Sequence, residues 1–398
     1  MTKIKTVEVV NLHYRYPDDQ VYVCAEGHMG SRVTSLVFVK LDNGLTGVGS
    51  VYSHPQLVQV VVDHLTPFLV GEDPAAIDAL WNRMYSLTRW YGRKGAAIST
   101  LGAIDIALWD LKGKIEGAPV YRLLGGSSNR VLAYASGLLW QDDLSLLEAE
   151  AMRHLGDGFR LMKMRLGRDE TYDRNAVECV ASTITGRGRV AVDGTHRYSM
   201  DAAIRLATLF SQLGVAWFEE PFPPEDVEAY GRLRQKVDVR ISAGENEFGL
   251  QGFRELFRVA AVDVAQPDAS RTGGISECVR IGRLAAEFEV DVISHTWSDA
   301  VALIANAHVI ASLKNGEAVE VDRTGCPFMD ELLREPPDIR DGYLFVSDRP
   351  GLGVEVDLDF VRNHQLPIGS QLPNGNYADM VFGGGAYTPV PPSIRGGR

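Results

Sequence analysis

Asp193, Glu219 and Glu245 recur at equal intervals of 26 residues, and each closes a short apolar run. The runs are Val190–Asp193, Ala216–Glu219 and Ile241–Glu245. A strand covered on both faces is apolar throughout rather than alternating, so each run reads as a buried parallel strand. A carboxylate at the end of such a strand is costly to ionise unless a cation or hydrogen-bond donors compensate it. Three of them on successive strands would converge on one point, and a hard divalent cation suits an all-oxygen site.

The elements that must carry these residues repeat. From about residue 131 the chain alternates a short apolar strand with a helical stretch eight times. The strands centre on Tyr134, Met162, Val192, Phe218, Ser242, Val264, Ile293 and Val319. Strand-helix units of that length, sustained eight times, predict a (β/α)8-type barrel. No glycine-rich dinucleotide turn follows the first strand, which argues against a doubly wound sheet. Ahead of the barrel, Ile4–Val10 and Ser35–Leu41 read as strands around a polar loop, and Asp42-Asn43-Gly44 reads as a type I′ hairpin turn. Leu101, Ile104, Leu108 and Leu111 form one helical stripe. Residues 1–125 therefore read as an α+β unit of their own.

Chemistry in such a barrel gathers at the C-terminal ends of the strands. The second strand ends in Lys163-Met-Arg165, two cations on one face, and the sixth in Gln266-Pro-Asp268. The seventh ends in Ser294-His295, and the eighth carries Glu320, with Glu317 and Asp322 beside it. Glu320 is preferred because valines flank it. An imidazole oriented by an aspartate is a better reading of His295 with Asp268 than a structural histidine. His196 reads equally as pocket rim or bystander, and Trp297 as pocket wall or packing.

Bulk properties narrow the class. The chain has 398 residues, 40 basic and 52 acidic, for a formal charge of −12. That balance disfavours phosphate backbones, so nucleic acid is not an expected partner, and an anionic substrate must be drawn by a local cationic site. Four scattered cysteines (Cys24, Cys179, Cys278, Cys326) lack metal-knuckle spacing and read as reduced thiols. No signal-peptide or membrane-spanning run is evident, so no membrane partner and a cytoplasmic location are expected.

Several motifs together resemble the enolase superfamily, of the mandelate racemase kind. They are Leu108-Trp-Asp-Leu-Lys-Gly-Lys114, Leu123-Leu-Gly-Gly126, Lys163-x-Arg165, Glu219-Glu-Pro221, Gly244-Glu-Asn246, Gln266-Pro-Asp268 and Pro350-Gly-Leu-Gly353. The resemblance implies a modified (β/α)7β TIM-type barrel with an α+β N-terminal capping domain. Its expected units are the cap over 1–125, the barrel over 126–340, and a segment over 341–398 that returns to the cap and ends in a Gly/Pro-rich tail. The resemblance further implies Mg2+ on Asp193, Glu219 and Glu245, with Glu220 outside the set. His295 and Asp268 would form the base dyad. Glu320 would hydrogen-bond the substrate carboxylate, and a cap loop over about 14–32, holding Tyr14, Arg15, Tyr16, His28 and Arg32, would close the pocket. Lys163 can add a positive charge beside that carboxylate, and Arg165 would steady the carboxylate or a hydroxyl. A homo-oligomer is expected.

Arg165 is the informative departure. Racemases of this kind resemble one another in having a lysine base there, whereas arginine keeps its proton in nearly every protein setting. One good base suits removal of the α-proton of an acid sugar and loss of a β-hydroxyl, giving a 2-keto-3-deoxy acid. The expected activity is a Mg-dependent aldonate or aldarate dehydratase. The alternatives are a racemase or epimerase of a 2-hydroxy acid, or a sugar-acid lactone cycloisomerase.

Overall fold

The computed structural model describes residues 2–24, 27–367, 370 and 378–381. Its first unit is an antiparallel sheet built on the long strand β3 (Gly27–Leu41), which pairs with β1 (Ile4–Arg15), β2 (Tyr22–Cys24) and β4 (Thr46–Val51). Much of the segment expected as a polar loop over 14–32 is therefore strand, with Arg15 opposite Ser31. Pairing against β3 satisfies backbone groups whatever the side chains' polarity, and the polar composition concealed it. The turn after β3 also differs from type I′. Gly44 has φ +89° and donates to the Leu41 carbonyl, while Asn43 has no positive φ. A type I turn closed by a left-handed glycine joins β3 to β4.

Helices α1 (Pro55–Leu65), α2 (Ile77–Thr88) and α3 (Ala96–Glu116) pack on this sheet. Leu101, Ile104, Leu108 and Leu111 of α3 are fully buried, as their spacing predicts. So are most residues on the helix's other faces, because α3 also packs on the barrel. The β4 backbone lies so close to α3 that a Cβ on Gly49 would stand 1.9 Å from the Ala103 carbonyl oxygen.

Eight parallel strands form the second unit: β5 (Arg130–Gly137), β6 (Leu161–Arg165), β7 (Arg189–Asp193), β8 (Phe218–Glu219), β9 (Ile241–Ala243), β10 (Val264–Ala265), β11 (Asp291–Ser294) and β12 (Gly316–Asp322). Each pairs with the next and β12 pairs back to β5, so the sheet closes. Every strand centre read from the sequence falls inside its strand. Helices span the seven crossovers, giving a (β/α)7β barrel under an N-terminal cap.

A hairpin not evident in the sequence, β13 (Asp338–Arg340) and β14 (Tyr343–Phe345), adds antiparallel to β5. The chain then turns back: Gln365 bridges Leu12, and β15 (Ala378–Val381) pairs with β3. The Gly/Pro-rich tail lies outside the described residues. No disulfide links the cysteines, and Cys24, Cys278 and Cys326 are buried. Among the described residues, no helix is long and apolar enough to cross a membrane.

Candidate active site

Strand register brings the ionisable residues together. Arg165 pairs opposite Asp193, and Asp193 opposite Glu219, on neighbouring strand ends. Asp193, Glu219 and Glu245 each offer an oxygen within 4.8 Å of the others. Lys163 Nζ, fully buried, lies 2.5 Å from Glu219 Oε1, 2.9 Å from Glu320 Oε1 and 3.5 Å from Asp193 Oδ2. Arg165 is ion-paired to Asp193. Glu219 also accepts from Trp217 Nε1 at 3.0 Å, and Asp193 from the Thr195 N–H at 2.9 Å.

Four carboxylates (Asp193, Glu219, Glu245, Glu320) thus crowd two cations, Lys163 and Arg165. Burial pushes Glu219 well above the usual carboxylate range. Lys163 cannot cancel that push, because Asp193, Glu245 and Glu320 all repel a further charge. Asp193 is buried too, but Arg165 and Lys163 hold it down at about 2. Glu245 Oε2 is buried without a hydrogen-bond partner. A divalent cation fits this set: hard oxygen donors, an orphaned oxygen and more carboxylates than cations.

Across from the triad stands the dyad. His295 Nδ1 lies 2.8 Å from Asp268 Oδ2, and His295 Nε2 lies 3.6 Å from Glu245 Oε2. Asp268 is itself fixed by Ser270 N–H (2.8 Å), Ser270 Oγ (2.7 Å) and Asn306 Nδ2 (3.0 Å). Burial would lower the pKa of His295, but Glu245 and Asp268 more than offset it and the net shift is upward. An imidazole held at Nδ1 by a carboxylate presents Nε2 as its working atom.

The three acids of β12 have different partners. Glu320 meets Lys163 and accepts from the Thr296 N–H at 2.9 Å. Glu317 pairs with Arg240 at the other end of the strand, and Asp322 with Arg32 of the cap. Burial favours a neutral Glu320, yet Lys163 holds it at about 2. Glu320 thus accepts hydrogen bonds here, whereas a role toward the substrate carboxylate would use it as a donor.

Asp193, Glu245, His295 and Arg165 open onto a cleft between cap and barrel. Tyr22, Met29 and Tyr52 of the cap line it with Arg165, His196, His295 and Trp297. Lys163, Glu219 and Glu320 are fully buried and do not line it. Arg15 is exposed at the end of β1 and does not reach the cleft, contrary to the expectation from the cap segment. His28 lies in β3 opposite Val23, and its side chain lies outside the described residues.

Two features were not read from the sequence. His196 pairs with Glu220, whose Oε2 also accepts from Asn246 Nδ2 at 2.8 Å. Burial would lower the pKa of His196, but Glu220 raises it to about 9. Thr195, His196 and Glu220 have φ of 48°, 61° and 35°, a left-handed backbone uncommon for such residues. Asn306 bonds the Asp268 carboxylate, the His295 carbonyl and the Thr296 hydroxyl. A lone amide in the apolar run Ala300–Ser312 was the available signal.

Two family descriptions match this chain: "Mandelate racemase / muconate lactonizing enzyme, N-terminal domain" over residues 12–125 and "Enolase C-terminal domain-like" over 146–360. The chain is 31% identical to a D-galactarolactone cycloisomerase of Agrobacterium fabrum, covering 92% of this chain and 99% of that one. It is equally 31% identical to an arabinonate dehydratase of Saccharolobus solfataricus, over 89% and 96%. Among solved structures, L-talarate dehydratase from Polaromonas sp. JS666, complexed with Mg and L-glucarate, superposes with a TM-score of 0.82 at 26% identity, over 93% and 100%.

Proposed function

We propose that this chain, which belongs to the mandelate racemase / muconate lactonizing enzyme family of the enolase superfamily, is a Mg2+-dependent acid-sugar dehydratase. The observation that carries the reading is the single base. His295 faces the carboxylate triad at 3.6 Å with its far nitrogen on Asp268, while Arg165 occupies the position where a second base would stand.

Asp193, Glu219 and Glu245 would hold the ion, as the orphaned Glu245 oxygen supports. When bound, it would supply Lewis-acid stabilisation of the charge that develops on the substrate carboxylate. His295 Nε2 takes the α-proton, and Asp268 holds the resulting imidazolium. Lys163, behind the triad, adds a fixed positive charge next to Glu219 and Glu320. The imidazolium then returns its proton to the departing β-hydroxyl, and the enol product tautomerises to a 2-keto-3-deoxy acid. Burial alone would lower the pKa of Arg165, but Asp193 and its neighbours raise it further, so it orients the acid rather than taking a proton. The D-galactarolactone cycloisomerase relative favours one second reading, lactone isomerisation by the same proton abstraction.

The test is a screen of the Mg2+-loaded protein against mono- and diacid sugars, detecting 2-keto acid. Product from one or a few stereoisomers supports the dehydratase. Silence, with a lactone consumed instead, moves the assignment to a cycloisomerase.

A further inference from the structure

Arg32 belongs to β3 of the cap, yet it is 1% exposed and reaches the barrel. One guanidinium nitrogen donates to Asp322 Oδ2 at 2.9 Å, and another donates to the Trp297 carbonyl. Asp322 stands at the end of β12, with its other oxygen held by the Thr324 N–H and hydroxyl at 2.8 and 2.7 Å. The Arg32 guanidinium carbon also lies 5.2 Å from the Trp297 ring centre. The same indole carries a second cation, Arg165, at 5.0 Å.

Trp297 therefore joins two arginines that the topology keeps apart, one in the cap and one at the triad. It lies two residues beyond His295, in a segment that the cap grips again. Thr34 Oγ1 of β3 and Ser50 Oγ of β4 donate to Asp299 Oδ2 at 2.5 and 2.6 Å. The other Asp299 oxygen caps the helix Ala300–Ser312 through two backbone N–H groups. From the barrel side, Thr296 N–H is tied to Glu320. The base-bearing segment His295–Asp299 is thus clamped between cap and barrel.

We propose that Arg32 is a positioning residue that couples cap docking to the reacting centre through Trp297. By fixing that residue's carbonyl and ring, Arg32 sets both the His295 segment and the seat of Arg165. A lysine cannot replace it. Only a planar fork reaches two acceptors while lying against an aromatic ring. This inference rests on the proposed proton abstraction, but its first test does not.

Label the Mg2+-loaded protein with 5-fluorotryptophan and assign the Trp297 19F resonance with Trp297→Phe. Both Arg32→Lys and Arg165→Met are expected to shift that resonance and leave the exposed Trp90 unmoved. A Trp297 resonance unmoved by Arg32→Lys overturns the coupling, whatever the reaction is. On the acid sugar turned over by the wild type, Arg32→Lys is expected to lower kcat at least ~10-fold, because small misplacements of reacting groups are costly. Its KM and Mg2+ affinity should change no more than about twofold. Trp297→Phe should keep most of the activity that Trp297→Leu loses, and Arg32→Lys, which keeps a cation for Asp322, should lower kcat less once Trp297 is leucine than it does in the wild type. Losses that multiply instead, or an Arg32→Lys protein with wild-type kcat, refute the positioning role. Absence of α-proton abstraction in the wild type would overturn the functional reading and leave the 19F result standing.

Discussion

His295 Nε2 stands 3.6 Å from Glu245 Oε2, while His295 Nδ1 rests 2.8 Å from Asp268 Oδ2. One imidazole thus touches a metal-type carboxylate on one side and an orienting carboxylate on the other. A substrate seated on the triad through its carboxylate would place its α-carbon beside the base. Removing His295 should abolish proton abstraction without unfolding the barrel. His295→Asn is expected to lose ~10²–10⁴-fold in kcat, the span that general-base catalysis contributes. Thermal unfolding should show a folded protein, and undiminished turnover would refute the assignment.

Lys163 compensates three carboxylates at once. Breaking a buried ion network by removing one partner costs about 3–5 kcal/mol. Lys163→Met, stripped of metal with a chelator, should unfold at markedly lower denaturant than the wild type. Mg2+ should restore more stability to the variant than to the wild type, since the ion becomes the main positive charge at the triad. Equal Mg2+ stabilisation of both proteins would count against that view.

Arg165 separates one-base from two-base chemistry. A lysine can give up its proton near neutrality when desolvated beside another cation, and Lys163 supplies that neighbour. Arg165→Lys is therefore expected to dehydrate more slowly and to begin forming the α-epimer of the substrate, read by NMR of the recovered acid. Slower turnover with no epimer would mean that the charge of Arg165 matters and its basicity does not.

His308 sets an acid limit far from the chemistry. Its Nδ1 accepts from the Tyr121 N–H at 3.0 Å and its Nε2–H donates to the Leu352 carbonyl at 3.1 Å, so only the neutral ring fits. Burial depresses its pKa to about 4, against about 6.5 in an unfolded chain. Between those values the unfolded chain binds a proton that the folded one refuses. The contribution is therefore complete above ~6.5 and is lost as pH falls through about 4. Urea midpoints should fall over that window, and His308→Gln should flatten that part of the curve. An unchanged slope would contradict the assignment.

The barrel was legible because its strands are apolar runs at even spacing, and the triad because charge at the end of such a run has no packing explanation. The cap was legible only in part. Arg32 is separated from Asp322 by 290 residues, and nothing local marks the pair. The motif around Trp109-Asp110 and the turn at Pro350–Gly353 stood out in the sequence, and they meet at one buried carboxylate. Asp110 accepts from the Val48 and Leu352 N–H groups at 3.0 and 2.9 Å. Asp110 thereby ties the cap strand β4 to the C-terminal turn. Hairpin β13–β14 was missed because its strands are short and its residues mixed in polarity.

The most direct measurement is turnover of the identified acid sugar by the Mg2+-loaded protein in D2O, with recovered substrate and product read by NMR. Abstraction by His295 followed by β-elimination requires a 2-keto-3-deoxy acid carrying solvent deuterium at C3, and neither product nor exchange with His295→Asn. Deuterium at the α-carbon of an otherwise intact acid, with no keto acid formed, would contradict elimination and leave racemisation or cycloisomerisation as the reaction.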